Sequence, residues 1–357
     1  MSEQIDNAPE KKRDFLHRLV LMDGMAVLFF LVLAGLWYAA DALLLIFACM
    51  LFAILLYELS DVIKRRLHLR RKFALPLVVL LLLSVIGIGG WLMAPQIADQ
   101  SDKLAEAIPH AITELRNTLN QNDLARRLLG GVPSNDKLIA YLGRMVPNAG
   151  LFFSGVLGAF GNVLIILFVG IYFAAAPYTY IDGFVLLVPP HKRERVRAVL
   201  SEIGRTLAKW LLGKFASMVL VGTLTATGLA LLGVPLALIL GIIAGLLDFI
   251  PYLGPLMAGV PALLIAFSTS PTQALYVLGL FGVIQLIEGY LLQPLIENKT
   301  VSLPPALTIV MQVLFGTLFG LAGVALATPL TAVLAVVVTM LYVQDVLGDK
   351  VKTPSQQ

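Results

Sequence analysis

Apolar residues run through this chain in blocks too long for a buried strand or a half-buried helix. Leu19–Ala40, Ala42–Leu59, Phe73–Pro95, Leu151–Ala176 and Trp210–Gly233 each come near or pass the roughly 20 helical residues that cross a bilayer core, and we read them as five spans. Asp41 is expected in a tight turn between the first two. Past Gly233 the pattern changes. Val234–Leu247 and Leu256–Phe267 are apolar but short, and Asp-Phe-Ile-Pro-Tyr-Leu-Gly-Pro (Asp248–Pro255) interrupts them. Ala274–Ile296 reads as a full span carrying Gln285, Glu288 and Gln293. Leu303–Tyr342 holds almost no charge. As one helix it would be about 60 Å long, twice the bilayer core, so it must double back. Gly316, Gly320 and Gly323 offer the place. The expected fold is an all-α polytopic membrane protein of about eight membrane segments, two of them interrupted or hairpin segments, with an external amphipathic helical region.

Composition agrees. Of 357 residues, 59% are hydrophobic and 13% charged, with mean hydropathy +0.88, against about 25% charged residues in a soluble domain. This excludes a soluble enzyme, a free nucleic-acid binder and a disordered scaffold. The net charge of +4 points to no nucleic acid, because the basic residues flank apolar segments and suit a lipid bilayer as partner. The single cysteine, Cys49, allows no intrachain disulfide.

Lysine and arginine set the orientation. Lys64, Arg65, Arg66, Arg70, Arg71 and Lys72 separate spans two and three; Lys192, Arg193, Arg195, Arg197, Arg205 and Lys209 separate spans four and five. Placing both clusters inside puts both termini in the cytoplasm. The resulting layout is a cytoplasmic tail (1–18), three spans (19–95), an external amphipathic region (96–150), a fourth span (151–176), a basic cytoplasmic loop (177–209), a transport core with interrupted hairpins (210–342) and a second tail (343–357). In the external region Leu104, Ile108, Ala111, Ile112, Leu115 and Leu119 share one helical face. Such a face could cap the bundle or form a subunit contact, and a homo-oligomer is expected.

No HExxH, Gly-x-Ser-x-Gly, P-loop or cysteine-rich spacing is present, so no catalytic residue, cofactor or metal is assigned. What remains are polar residues at membrane depth, which face a bundle interior or an aqueous cavity because charge in lipid is costly. Asp248 opens the Pro/Gly-rich break. Glu288 lies centrally in its expected span, with Gln285 one turn before it on the same face. Pro251 and Pro255 remove backbone donors and Gly254 permits dihedrals other residues avoid. Pro294 and Pro304 bound a second break. Interrupted helices aim free carbonyls and amides at an ion or substrate in many secondary transporters, yet proline also ends ordinary helices at the interface.

Leu232-Gly-Val-Pro-Leu-Ala-Leu and Gly245-Leu-Leu-Asp-Phe-Ile-Pro-Tyr-Leu-Gly-Pro, followed by Gln285-Leu-Ile-Glu-Gly, Leu292-Gln-Pro, Leu303-Pro-Pro, Leu318-Phe-Gly-Leu-Ala-Gly and Ala327-Thr-Pro-Leu, form a set. With these the chain resembles the AI-2E (autoinducer-2 exporter) family of permease-like proteins. The resemblance implies a multi-pass protein of the bacterial inner membrane. It also implies a secondary transporter, either an exporter of a small solute such as autoinducer-2 or a Na⁺(Li⁺)/H⁺ antiporter. The chain departs from the family pattern at Lys214, where Gly-Gln is common, and at Tyr290. Lys214 is the candidate counter-charge for Asp248. A membrane scaffold binding partners through its external helices and cytoplasmic loop is the alternative from another class.

Overall fold

The computed structural model describes residues 27, 31, 34–35, 37–120, 149–292, 304–349 and 351. Two compact units divide the chain, Met1–Phe47 and Ala48–Gln357. Helix α1 (Ala40–Leu67) crosses that boundary in sequence. It is followed by α2 (Arg71–Asn120), α3 (Ala149–Ala175), α4 (Pro177–Leu186), a single 3₁₀ turn (Pro190–Lys192), α5 (Arg193–Leu231), α6 (Ala237–Leu247), α7 (Leu253–Thr269), α8 (Pro271–Ile287) and α9 (Pro305–Val337). π-helical turns extend α8 through Leu292 and α9 through Gln344. Among the described residues, five helices are long and apolar enough to cross a membrane, and a sixth span results if α3 and α4, bent by 82°, count as one. The chain is an all-α polytopic membrane protein.

Several expected boundaries move. Asp41 lies in the first turn of α1, not in a turn before it. Pro95 does not end the third span: α2 runs through it for 50 residues. One missing donor is tolerated there because helix-compatible residues continue on both sides. The first part of the expected external region is therefore an extension of α2; its later part, 121–148, lies outside the described residues. Residues 177–209, expected as a loop, are helical, and α5 begins at Arg193 rather than Trp210. Arginine and lysine are good helix formers, so the helix starts well before its apolar stretch.

Antiparallel α5 and α6 form the tightest pair. A Cβ on Gly245 would stand 2.8 Å from the Met218 carbonyl and 3.0 Å from the Gly222 Cα, and a Cβ on Gly241 would overlap Ala226. Small residues four apart on both helices thus let the backbones touch, as in other membrane helix pairs. At the far end of this pair, Leu229, Val234, Ile239, Ala266 and Val277 share one apolar cluster, with Leu104 of α2 packed against it. Gln273 Nε2 donates to the Leu232 carbonyl at 2.9 Å, and the Ile239 N–H donates to Gln100 Oε1 at 3.1 Å. The start of α6 and the end of α7 therefore lie at the same end of the molecule. With about 16 Å of helix in α6, the pair enters the bundle, turns at residues 248–252 and returns.

The second hairpin comes from the other end. In α9, Gly320 has φ 63° and ψ −147°, a combination that essentially only glycine adopts. Beyond it the chain folds back. A side chain on Gly316 would meet Val324 Cγ2 at 2.7 Å, and one on Gly323 would overlap the Phe315 carbonyl. In an unbroken helix, residues eight apart are about 12 Å apart. The expected doubling back of the last long apolar segment is thus present. Its end is tied to the start of α5, where Arg195 donates to Asp345 Oδ2 (2.9 Å), the Met340 carbonyl (2.7 Å) and Gln344 Oε1 (2.9 Å). Val199, Val336 and Met340 pack beside that clamp.

Candidate functional site: a charged cluster where two hairpins meet

The glycine contacts fix the register of α5 against α6. Gly241 faces Ala226, Gly245 faces Gly222 and Met218, and one turn further Asp248 faces Lys214. Lys214 Nζ stands 3.0 Å from Asp248 Oδ2 and 3.5 Å from Glu288 Oε1. One ammonium thus serves two carboxylates, and the three side chains sum to one net negative charge when all are ionised. Gln285 Nε2 donates to Glu288 Oε2 at 3.0 Å. Asp248 is 1% exposed, and apart from the ion pair neither of its oxygens receives a hydrogen bond among the described residues.

Glu288 is not central in its span, as the sequence suggested. It ends α8 and opens the π-helical turn, about 25 Å along α8 from its start, which places it level with the tip of the first hairpin. That tip is short. Residue Tyr252, with φ 63° and ψ −49°, carries the unusual backbone, and Phe249 packs edge-on against Trp210 of α5 at 5.6 Å. Gly254 and Pro255 belong to the first turn of α7 rather than to the break. Gly254 is needed for space, not for its dihedrals: a Cβ there would overlap the Leu247 carbonyl. In its first-turn position Pro255 gives up a donor that has no helical partner anyway.

From α9, fully buried Gln312 reaches the same tip and donates from Nε2 to the Pro251 carbonyl at 2.9 Å. Its Oε1 has no donor among the described residues. Sequence reasoning missed Gln312. Its signal was that of a lone amide in an apolar stretch, but nothing in the sequence says which break it meets. Pro304 caps the start of α9, two helical turns from Gln312, and is not brought into the cluster. Pro294 lies outside the described residues. Among the described residues no group of three or more His, Cys, Asp or Glu side chains could hold a metal ion.

The model of the AI-2E family transporters matches residues 26–342. The chain belongs to the AI-2E transporter family. Two similar proteins bear the name "putative transport protein": YueF of Bacillus subtilis, 25% identical over 81% of this chain and 82% of that protein, and YhhT of Escherichia coli, 24% identical over 91% of each. The AI-2 transport protein TqsA of Escherichia coli is 23% identical over 89% of this chain and 91% of its own length. Membership in a family of transporters agrees with a multi-pass membrane protein whose polar groups gather inside the bundle.

Proposed function

We propose that this member of the family is a secondary transporter of the inner membrane in which the Lys214–Asp248–Glu288 cluster binds a cation or proton that drives movement of a small polar solute. The observation that carries the reading is the shared ammonium: one buried lysine between the buried Asp248 at the helix break and the half-buried Glu288. A net negative cluster at membrane depth is costly alone, and a bound proton or monovalent cation neutralises it. Loading and release of that charge is what coupling requires. The AI-2 transport protein among the relatives makes an autoinducer-2-like molecule a solute to test, and Na⁺ or Li⁺ exchanged for H⁺ is the ion reading. Placing the arginine-rich start of α5 inside follows the positive-inside rule. The test is flux in proteoliposomes, with these ions and small polar metabolites offered with and without a pH gradient. Gradient-dependent flux of one of them supports the reading. Its absence with all of them, in protein that inserts and folds, favours the scaffold alternative.

A further inference from the structure

One face of α5 carries a polar stripe in which Lys214 belongs to the charge cluster and Glu202 pairs with Arg205 at 2.9 Å, while three hydroxyls are left without such an account. Glu202, Thr206, Lys214, Ser217 and Thr225 are all buried and fall within one side of the helix. From Glu202 to Thr225 the stripe covers about 35 Å of helix, running from the basic start of α5 into its apolar stretch. The hydroxyls of Thr206, Ser217 and Thr225 have no partner among the described residues. Two threonines on the exposed face of the same helix behave differently: Thr223 and Thr227 each donate to the carbonyl four residues back at 2.7 Å. That local bond is the usual refuge of a hydroxyl in a membrane helix. The buried three forgo it and point into the bundle.

Stranding a buried hydroxyl is unfavourable, and three on one face call for a common partner. Unsatisfied oxygens from the other elements share the interior: both Asp248 oxygens apart from the Lys214 ion pair, Gln312 Oε1 and Thr328 Oγ1. Of these, the Asp248 carboxylate and the Gln312 carbonyl only accept. We propose that this face of α5 is the wall of the solute route. It is closed in this conformation and wetted when the transporter opens, and it takes a species that offers hydrogen-bond donors or positive charge rather than an anion. The inference deepens the transporter reading and rests on it for the identity of what moves, but the wetting of the stripe can be measured without any transported solute.

The test starts from a Cys49→Ala background, since Cys49 is the chain's one cysteine. Ser217→Cys and Thr225→Cys are compared with Thr223→Cys and Thr227→Cys in membranes, using a cationic trimethylammonium methanethiosulfonate and its anionic sulfonate counterpart. Labelling of the two stripe positions should exceed that of the two lipid-facing ones by about tenfold or more, and the cationic reagent should react faster near the net negative cluster. Equal labelling of both faces, or faster reaction with the anionic reagent at Ser217→Cys, overturns the proposal. Should the cysteine variants fail to insert, Thr225→Val serves instead. A stranded hydroxyl exchanged for an isosteric methyl should leave the protein no less stable, while a route wall that loses its hydroxyl should slow flux severalfold. Parent-like flux, or a loss of stability, counts against the route. Labelling succeeds or fails whether or not flux is detected, so it separates this claim from the coupling role of Asp248.

Discussion

Replacing Lys214 with methionine removes the one cation that Asp248 and Glu288 share, while the methionine keeps much of the packing volume. Asp248 is then left buried with neither a counter-charge nor a hydrogen bond among the described residues. Breaking a buried ion pair from one side typically costs about 3–5 kcal/mol, because the remaining charge is uncompensated. Asp248→Asn is milder: Lys214 keeps Glu288 at 3.5 Å, and the loss is that of a buried polar contact, about 1–3 kcal/mol. The double variant has neither the lysine nor the aspartate charge and should lose less than the two single losses together, with a coupling energy of about 1–3 kcal/mol. Equilibrium unfolding of the purified variants in mixed micelles, titrated with denaturing detergent, reads all three. Lys214→Met as stable as Asp248→Asn, or losses that simply add, would refute the reading of Lys214 as the shared counter-charge.

Packing makes further predictions. Gly241→Leu should prevent stable assembly, since even a Cβ there overlaps Ala226, whereas Gly282→Ala, with nothing within 4 Å, should express and fold normally; expression and size-exclusion profiles compare them. Gly320→Ala should destabilise by about 1–3 kcal/mol because its dihedrals suit only glycine, and thermal unfolding in detergent should show it. Charge-neutral replacements in the Lys64–Lys72 cluster, where each basic side chain near anionic lipid is worth about 1 kcal/mol, should disturb insertion or orientation before solute preference. Normal orientation with altered solute preference would place that cluster in the route instead.

Much of the architecture was legible because lipid is a severe solvent: run lengths of apolar residues translate into spans, and a run twice too long must turn. The break at Asp248 and the reversal near Gly320 both follow from that logic. Helix ends did not. Hydropathy marks where lipid begins, but Arg193–Lys209 and Gln96–Asn120 stay helical outside the apolar stretches, since helix propensity there needs no apolar surface. The pairing of Lys214 with Asp248 depends on the register of α5 against α6, which Gly222, Ala226, Gly241 and Gly245 set through backbone contact. In sequence those are four small residues among thirty glycines and many alanines. Gln312 shows the same limit. A lone amide is easy to see, but its partner, the Pro251 carbonyl, is 61 residues away and known only once both hairpins are folded.

The coupling role of the cluster is tested most directly by Asp248→Asn in proteoliposomes under an imposed pH gradient. The substitution keeps the shape of the side chain and removes its charge, while Lys214 retains Glu288. The expected result is a protein that inserts and assembles as the parent does but loses gradient-driven flux. Full flux with an unchanged pH profile would contradict it and reduce Asp248 to a residue that closes α6.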